Sequence, residues 1–166
     1  MIVKDLDEKN CLEELRDMYN VFREEYKLPE FSELNELFDI EDVDIESEFL
    51  LRRIRRVISE KIAGYLRFIE IILNPSNAPM FFFKLVKKLD KEDMGALGEI
   101  YDVLGGFEIE VAGLDLSYSE SREADFIKKV FNVFDSEIRE RLLKIVERLG
   151  NGDGVKKRES NGSYFG

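Results

Sequence analysis

From Phe49 or Leu50 onward, Ile54, Ile58, Ile62, Leu66, Ile69 and Leu73 follow at steps of three and four residues until Asn74-Pro75 interrupts the run. That period gathers them on one side of an α-helix and would scatter them over both faces of a strand, so the run dictates a helix. Asp44 is a good capping residue for its start. About thirty residues at about 1.5 Å each predict a rod of roughly 45 Å. Such a rod exceeds what a compact fold of 166 residues needs, and it is expected to be the spine against which the other elements pack. Gly64, in its middle, costs about 1 kcal/mol relative to Ala, and close approach by a crossing helix is the expected compensation.

The same period recurs along the chain. Leu12, Leu15, Tyr19, Phe22 and Tyr26 mark a helix over about 6–27 that Pro29 ends, and Phe31, Leu34 and Phe38 mark a short second one. Beyond the long rod, Pro79 suits a first turn before Phe82, Leu85, Val86 and Leu89. A further helix starts at Asp90 to Asp93 with Leu97, Ile100 and Leu104 inward. The last carries Ala124, Ile127, Phe131, Phe134, Ile138, Leu142, Ile145 and Leu149. Ser117 and Glu120 have the capping-box spacing for its entry, and Gly150 suits its C-terminal cap.

Residues 107–118 admit two readings. Phe107, Ile109 and Val111 alternate with Glu108 and Glu110, which allows a small β-hairpin turning at Ala112-Gly113. Ile100, Leu104, Phe107, Val111, Leu114 and Tyr118 also advance by four and three, which fits one helix bent at Gly105-Gly106. The helix explains more residues, and an isolated hairpin is marginal. The expected fold is all-α: a single-domain bundle of about six helices over residues 1–150, with two long ones at about 44–73 and 119–149. Residues 151–166, with four Gly and almost no aliphatic surface, are expected to be a disordered tail.

Charge is segregated. Residues 1–50 hold 5 Lys/Arg and 17 Asp/Glu, net −12, while residues 51–166 hold 20 and 19, net +1, which together make the chain's −11. An acidic segment of this kind is built to meet something basic, and the nearest cations are Arg52, Arg53, Arg55 and Arg56, directly after it.

His, Trp, Gln and Thr are absent. Without His the commonest general base and the commonest metal ligand are missing, so no cofactor is expected and enzyme chemistry is disfavoured. The abundance of Lys, Glu and Arg beside few amides and one Cys is the balance of heat-adapted proteins. Cys11, the single cysteine, is expected to be a small buried hydrophobe, and one cysteine excludes an internal disulfide and fits a reducing compartment. No apolar run approaches the roughly 20 residues that span a bilayer. No membrane partner and a cytoplasmic location are expected.

Three groups could carry function. Arg52, Arg53, Arg55 and Arg56 cover three sides of a helix and could hold phosphate or an acidic peptide, though solvated or internally paired arginines are the plainer outcome. Nucleic acid, assisted by Lys84, Lys87 and Lys88, is the runner-up ligand, disfavoured by the net charge of −11. Phe81, Phe82 and Phe83 cannot all face one core, because helical neighbours point about 100° apart, so at least one is expected near the surface or against another chain.

Carboxylates form the third group: Glu30, Glu33, Glu36 and Asp39 recur at every third residue. Glu13-Glu14-x-x-Asp17 and Glu99-x-x-Asp102 resemble the pairs with which helical nucleotide pyrophosphohydrolases hold magnesium, but the third Glu is missing and the pairs lie about eighty residues apart. A solvated acidic face is the plainer reading, and Glu99 and Asp102 are the weak metal alternative.

A second resemblance is looser still. The arginine-rich helix running to Glu60-Lys61-Ile62 and the helix start Leu89-Asp90-Lys91-Glu92-Asp93 resemble, over about a third of the chain, the helical domain of GINS replication subunits. The small β-domain of those subunits has no counterpart in this sequence, and the chain is not assigned to the family. The expected function is non-enzymatic: a helical interaction or scaffold protein whose partner is a protein, including a second copy of itself as a homo-oligomer. The enzymatic alternative is a magnesium-dependent nucleotide hydrolase using carboxylates only.

Overall fold

The computed structural model describes the backbone of residues 2–43 and 49–151, with the side chains of these residues apart from 2–10 and 77. The elements in chain order are α1 (Ile2–Tyr26), α2 (Phe31–Phe38), a 3-10 turn (Ile40–Asp42), α3 (Leu50–Leu73), a 3-10 turn (Pro75–Asn77), α4 (Met80–Val86), α5 (Lys91–Leu116), α6 (Glu120–Val133), a π turn (Phe134–Ile138) and α7 (Arg139–Gly150). Among the described residues there is no strand, so the fold is all-α. The expected tail at 151–166 lies, after Asn151, outside the described residues, as does the Asp44 cap.

Each helix has an identifiable end. Lys27 takes a left-handed φ of 59° after α1, and Leu28 N–H donates to the Arg23 carbonyl at 3.2 Å, which closes the last turn before Pro29. Asp39 does the same for α2 with φ 52°, its N–H donating to Asn35 O. Glu30 with Glu33, and Asp90 with Asp93, form reciprocal capping boxes at the starts of α2 and α5. The entry to α6 differs from expectation: Ser119, not Ser117, is its cap residue, and Glu120 is its first helical residue.

One hydrophobic core runs through the molecule. The spine is α3, whose Leu50, Leu51, Ile54, Ile58, Ile62, Ile69 and Ile72 are buried. Its 24 residues at about 1.5 Å each make about 36 Å, shorter than expected because the described helix begins after Phe49. Against it lie α5, through Leu97, Ile100, Leu104, Phe107, Val111 and Leu114, and α6, through Ala124, Phe126, Ile127 and Val130. Phe131 is half-buried rather than central. The last rod continues through the π turn, where Phe134 and Ile138 are buried and Ser136 Oγ donates to Asn132 O at 2.6 Å. Side-chain bonds of this kind loosen the regular ladder.

Three expectations are corrected. The hairpin at 107–118 does not form, since α5 is helical without a break through Gly105-Gly106 to Leu116. No glycine in the described chain adopts positive φ, so nothing at that pair interrupts the backbone. Cys11 is exposed, because the part of α1 that reaches the core starts at Leu12 and Leu15. At Gly64 no helix crosses: the residue is exposed, and a Cβ there would meet no atom within 4 Å.

The same openness surrounds Gly95, Gly98, Gly105 and Gly106 of α5. Alanine at each is therefore expected to stabilise the isolated protein by about 0.5–1 kcal/mol, through a less flexible unfolded chain and a better helix former. Urea unfolding of the four single variants checks this, with a midpoint at or below that of the parent counting against it. No helix among the described residues is long and apolar enough to cross a membrane.

Candidate interaction surfaces

The opening turns of α3 distribute its four arginines unequally. Arg55 points inward and is 1% exposed. Its Nε donates to Glu123 Oε2 at 2.9 Å, and its Nη2 donates to Asp115 Oδ1 at 2.6 Å. Asp115 stands in the last turn of α5 and Glu123 in the first turn of α6, so one guanidinium ties three helices at the α5–α6 corner. Fork geometry and permanent charge suit Arg to this buried position. Glu123 is fully buried, whereas the Asp115 side chain is 47% exposed. The hydrogen bond from Arg55 holds the Asp115 carboxyl below its ordinary range.

Arg52 is half-buried, 3.8 Å from Asp115 and over the Tyr118 ring at 5.8 Å. Tyr118 in turn meets Phe49 edge-on at 4.6 Å. Arg53 and Arg56 face outward and, with Phe49 and Arg52, line a cavity of 130 Å³.

Among the described residues, the acidic first fifty do not supply the partners of Arg52 and Arg55; Asp44, Glu46 and Glu48 lie outside the described residues. Three of their described carboxylates pair elsewhere: Glu30 with Arg23, Asp39 with Lys61, and Glu36 with Arg139. The reason is placement. Glu36 and Asp39, at the end of α2, meet the start of α7 and the middle of α3 through Arg139 and Lys61.

The second surface is α4, a seven-residue helix with no buried residue. Met80 is 78% exposed, Phe81 64% and Phe83 43%, while Phe82 is half-buried and meets Phe81 edge-on at 5.7 Å. Leu85 and Val86 are half-buried against the core and hold the helix in place. Lys84 and Lys87 are exposed on the same outer arc. Lys88 turns to the end of α7, where its Nζ donates to the carbonyls of Leu149 at 2.9 Å and Asn151 at 3.3 Å. A cation there satisfies carbonyls that no helical N–H can reach.

A third cleft, of 430 Å³, lies between α2, α3 and α7 and escaped the sequence reading. Leu37, Tyr65, Phe134 and Leu142 form its floor, and exposed Leu143 and Val146 form its wall. The Glu36–Arg139 and Asp39–Lys61 pairs stand at its rim. Its signal was present: Leu143 and Val146 each follow a core residue, Leu142 and Ile145, and widen the stripe of α7 beyond a single seam.

The carboxylate groups do not converge. Glu99 pairs with Arg141, Asp102 is exposed, and no three His, Cys, Asp or Glu side chains among the described residues could hold a metal ion together. Burial raises the Glu108 carboxyl of α5, whose Oε1 is buried with no hydrogen-bond partner among the described residues. On α1, the hydrogen bond to Glu120 pushes the Tyr26 hydroxyl up to about 12. These are features of an all-α helical fold with apolar and charged surfaces. No family model, curated protein or solved structure matches the chain significantly.

Proposed function

We propose that the protein is a non-enzymatic helical module that works by protein association, as a homo-oligomer or as an adaptor in a larger assembly. The observation that carries this reading is α4. Met80, Phe81 and Phe83 stand in water on a helix that buries no residue of its own. Large aromatic side chains kept at a surface are the residues that anchor protein interfaces. The arginine cluster supports nucleic-acid binding less well, since Arg55 is committed to Glu123 and Asp115 inside the fold.

The test is sedimentation velocity on the full chain, together with capture from its own cells at low and high salt. Phe81→Asp and Phe83→Asp are each expected to dissolve the oligomer or abolish co-purification, with unchanged helical circular dichroism. A parent protein that is monomeric and captures nothing, or variants that associate as the parent does, would sink the reading.

A further inference from the structure

We infer that the cleft between α4 and the end of α7 receives a short acidic segment of a partner protein carrying an aromatic or aliphatic anchor. This rests on the association reading above and specifies the partner's chemistry. The chain has 36 Asp and Glu, yet residues 71–89 contain none and include Lys84, Lys87 and Lys88. Those residues build a cleft of 750 Å³, with Phe81 and Leu85 as its apolar surface, the three lysines around it and Arg148 at its far side.

The cations of this cleft are not equivalent. Arg148 Nη1 lies 2.9 Å from Asp90 and 2.6 Å from Asp93, so its charge is met within the fold. Among the described residues Lys88 meets only neutral carbonyls. Lys84 and Lys87 have no ion pair among the described residues. Three lysines that no described carboxylate compensates therefore lie at the cleft with Phe81, on a protein of net charge −11. Carboxylates with an apolar side chain between them complement that arrangement.

Size and surroundings decide against a polyanion. The positive island adjoins the start of α5, where Glu92 is exposed beside Lys91 and where Asp90 and Asp93 are engaged by Arg148. A DNA strand carries a charge about every 3.4 Å, so it would run past three lysines onto the rest of a protein of net charge −11. Beyond the Debye length of about 8–10 Å the remainder of the protein is screened, and a short segment senses mainly the lysines.

The experiment titrates the full chain into a fluorescein-labelled peptide alternating Asp and Glu with Phe and Leu, followed by anisotropy at rising salt. Binding that weakens with salt is expected. The double variant Lys84→Glu/Lys87→Glu should weaken it by at least about tenfold, about 1.4 kcal/mol, whereas Arg56→Glu should leave it within about twofold. A peptide with Asn and Gln in place of the acids should not bind. No binding of the acidic peptide, or equal binding by the double variant, overturns the inference. So does tighter binding of a single-stranded oligonucleotide or of anionic lipid vesicles than of the peptide. If Phe81→Asp abolishes association while Lys84→Glu/Lys87→Glu retains it, the association reading stands and the acidic partner falls.

Discussion

Glu123→Gln is expected to lower the unfolding free energy by about 3–5 kcal/mol, because it leaves a buried guanidinium facing a neutral amide. Arg55 cannot shed its proton to escape, and its other partner, Asp115, is half in water. A total stability of about 5–15 kcal/mol is usual for a domain, so the variant would be close to unfolding. Exchange of the pair for apolar residues of similar volume, Arg55→Met with Glu123→Leu, should recover much of the loss, since neither desolvated charge then remains. Urea unfolding of the single and double variants measures both. A single variant as stable as the parent, or a double variant no better than Glu123→Gln, would refute the account.

Asp115 adds a pH dependence of defined sign. Its carboxyl is held below the ordinary value by Arg55 in the folded protein, so the unfolded chain takes up the proton first as pH falls. The associated stability is fully present above the unfolded value, near 3.9, and is lost as pH drops through the lower folded value. Asp115→Asn should flatten that part of the acid limb. Its effect at neutral pH should be less than about 1 kcal/mol, as water screens a side chain exposed to this degree.

Phe38→Ala is expected to cost about 3–5 kcal/mol, the usual toll for emptying a buried aromatic site. Phe38 is fully buried at the end of α2 and meets the Phe134 ring edge-on at 5.2 Å, directly against the π turn. Phe134 also lies 5.5 Å from Tyr65 of α3, so the lost ring supports α2, α3 and the last rod together. Asp39, next in sequence, fixes the turn through its left-handed backbone and limits how far α2 can collapse into the space. Phe38→Leu should lose far less, because most of the volume is kept. Thermal unfolding of both variants checks the contrast, and equal losses would show that volume is not the cause.

The helices were legible because their signal is one-dimensional. Ile54, Ile58, Ile62 and Ile69 are fully buried, as their spacing requires. Leu104, Phe107, Val111 and Leu114 are buried on one unbroken helix, so the four-and-three spacing outweighed the short alternation around Ile109. Partnerships across the chain were not legible. Spacing sets Arg55 on the buried stripe with Leu51, Ile58 and Ile62, unlike Arg53 and Arg56, but its partners lie 60 and 68 residues away. The acidic excess of the first fifty residues suggested a partner by nearness in sequence, whereas its described carboxylates Glu36 and Asp39 meet Arg139 and Lys61, distant in sequence. For Gly64 and Cys11 the expected packing assumed a neighbour, and each faces outward instead. At α4 the pattern argued correctly that three adjacent phenylalanines cannot share one core, and which of them is turned inward, Phe82, depended on where α3 lies.

That short helix also bears on the energetics of any partner. Seven residues are too few to hold helical structure alone, and α4 owes its form to the half-buried contacts of Phe82, Leu85 and Val86. Its opening requires little apolar surface to be given up, which places it at the low end of local stability in the molecule. A ligand seated on Phe81 and the lysines would then fold its own receptor as it binds. Part of the favourable free energy of that contact is absorbed in ordering α4, and complexes formed there are disposed to rapid exchange.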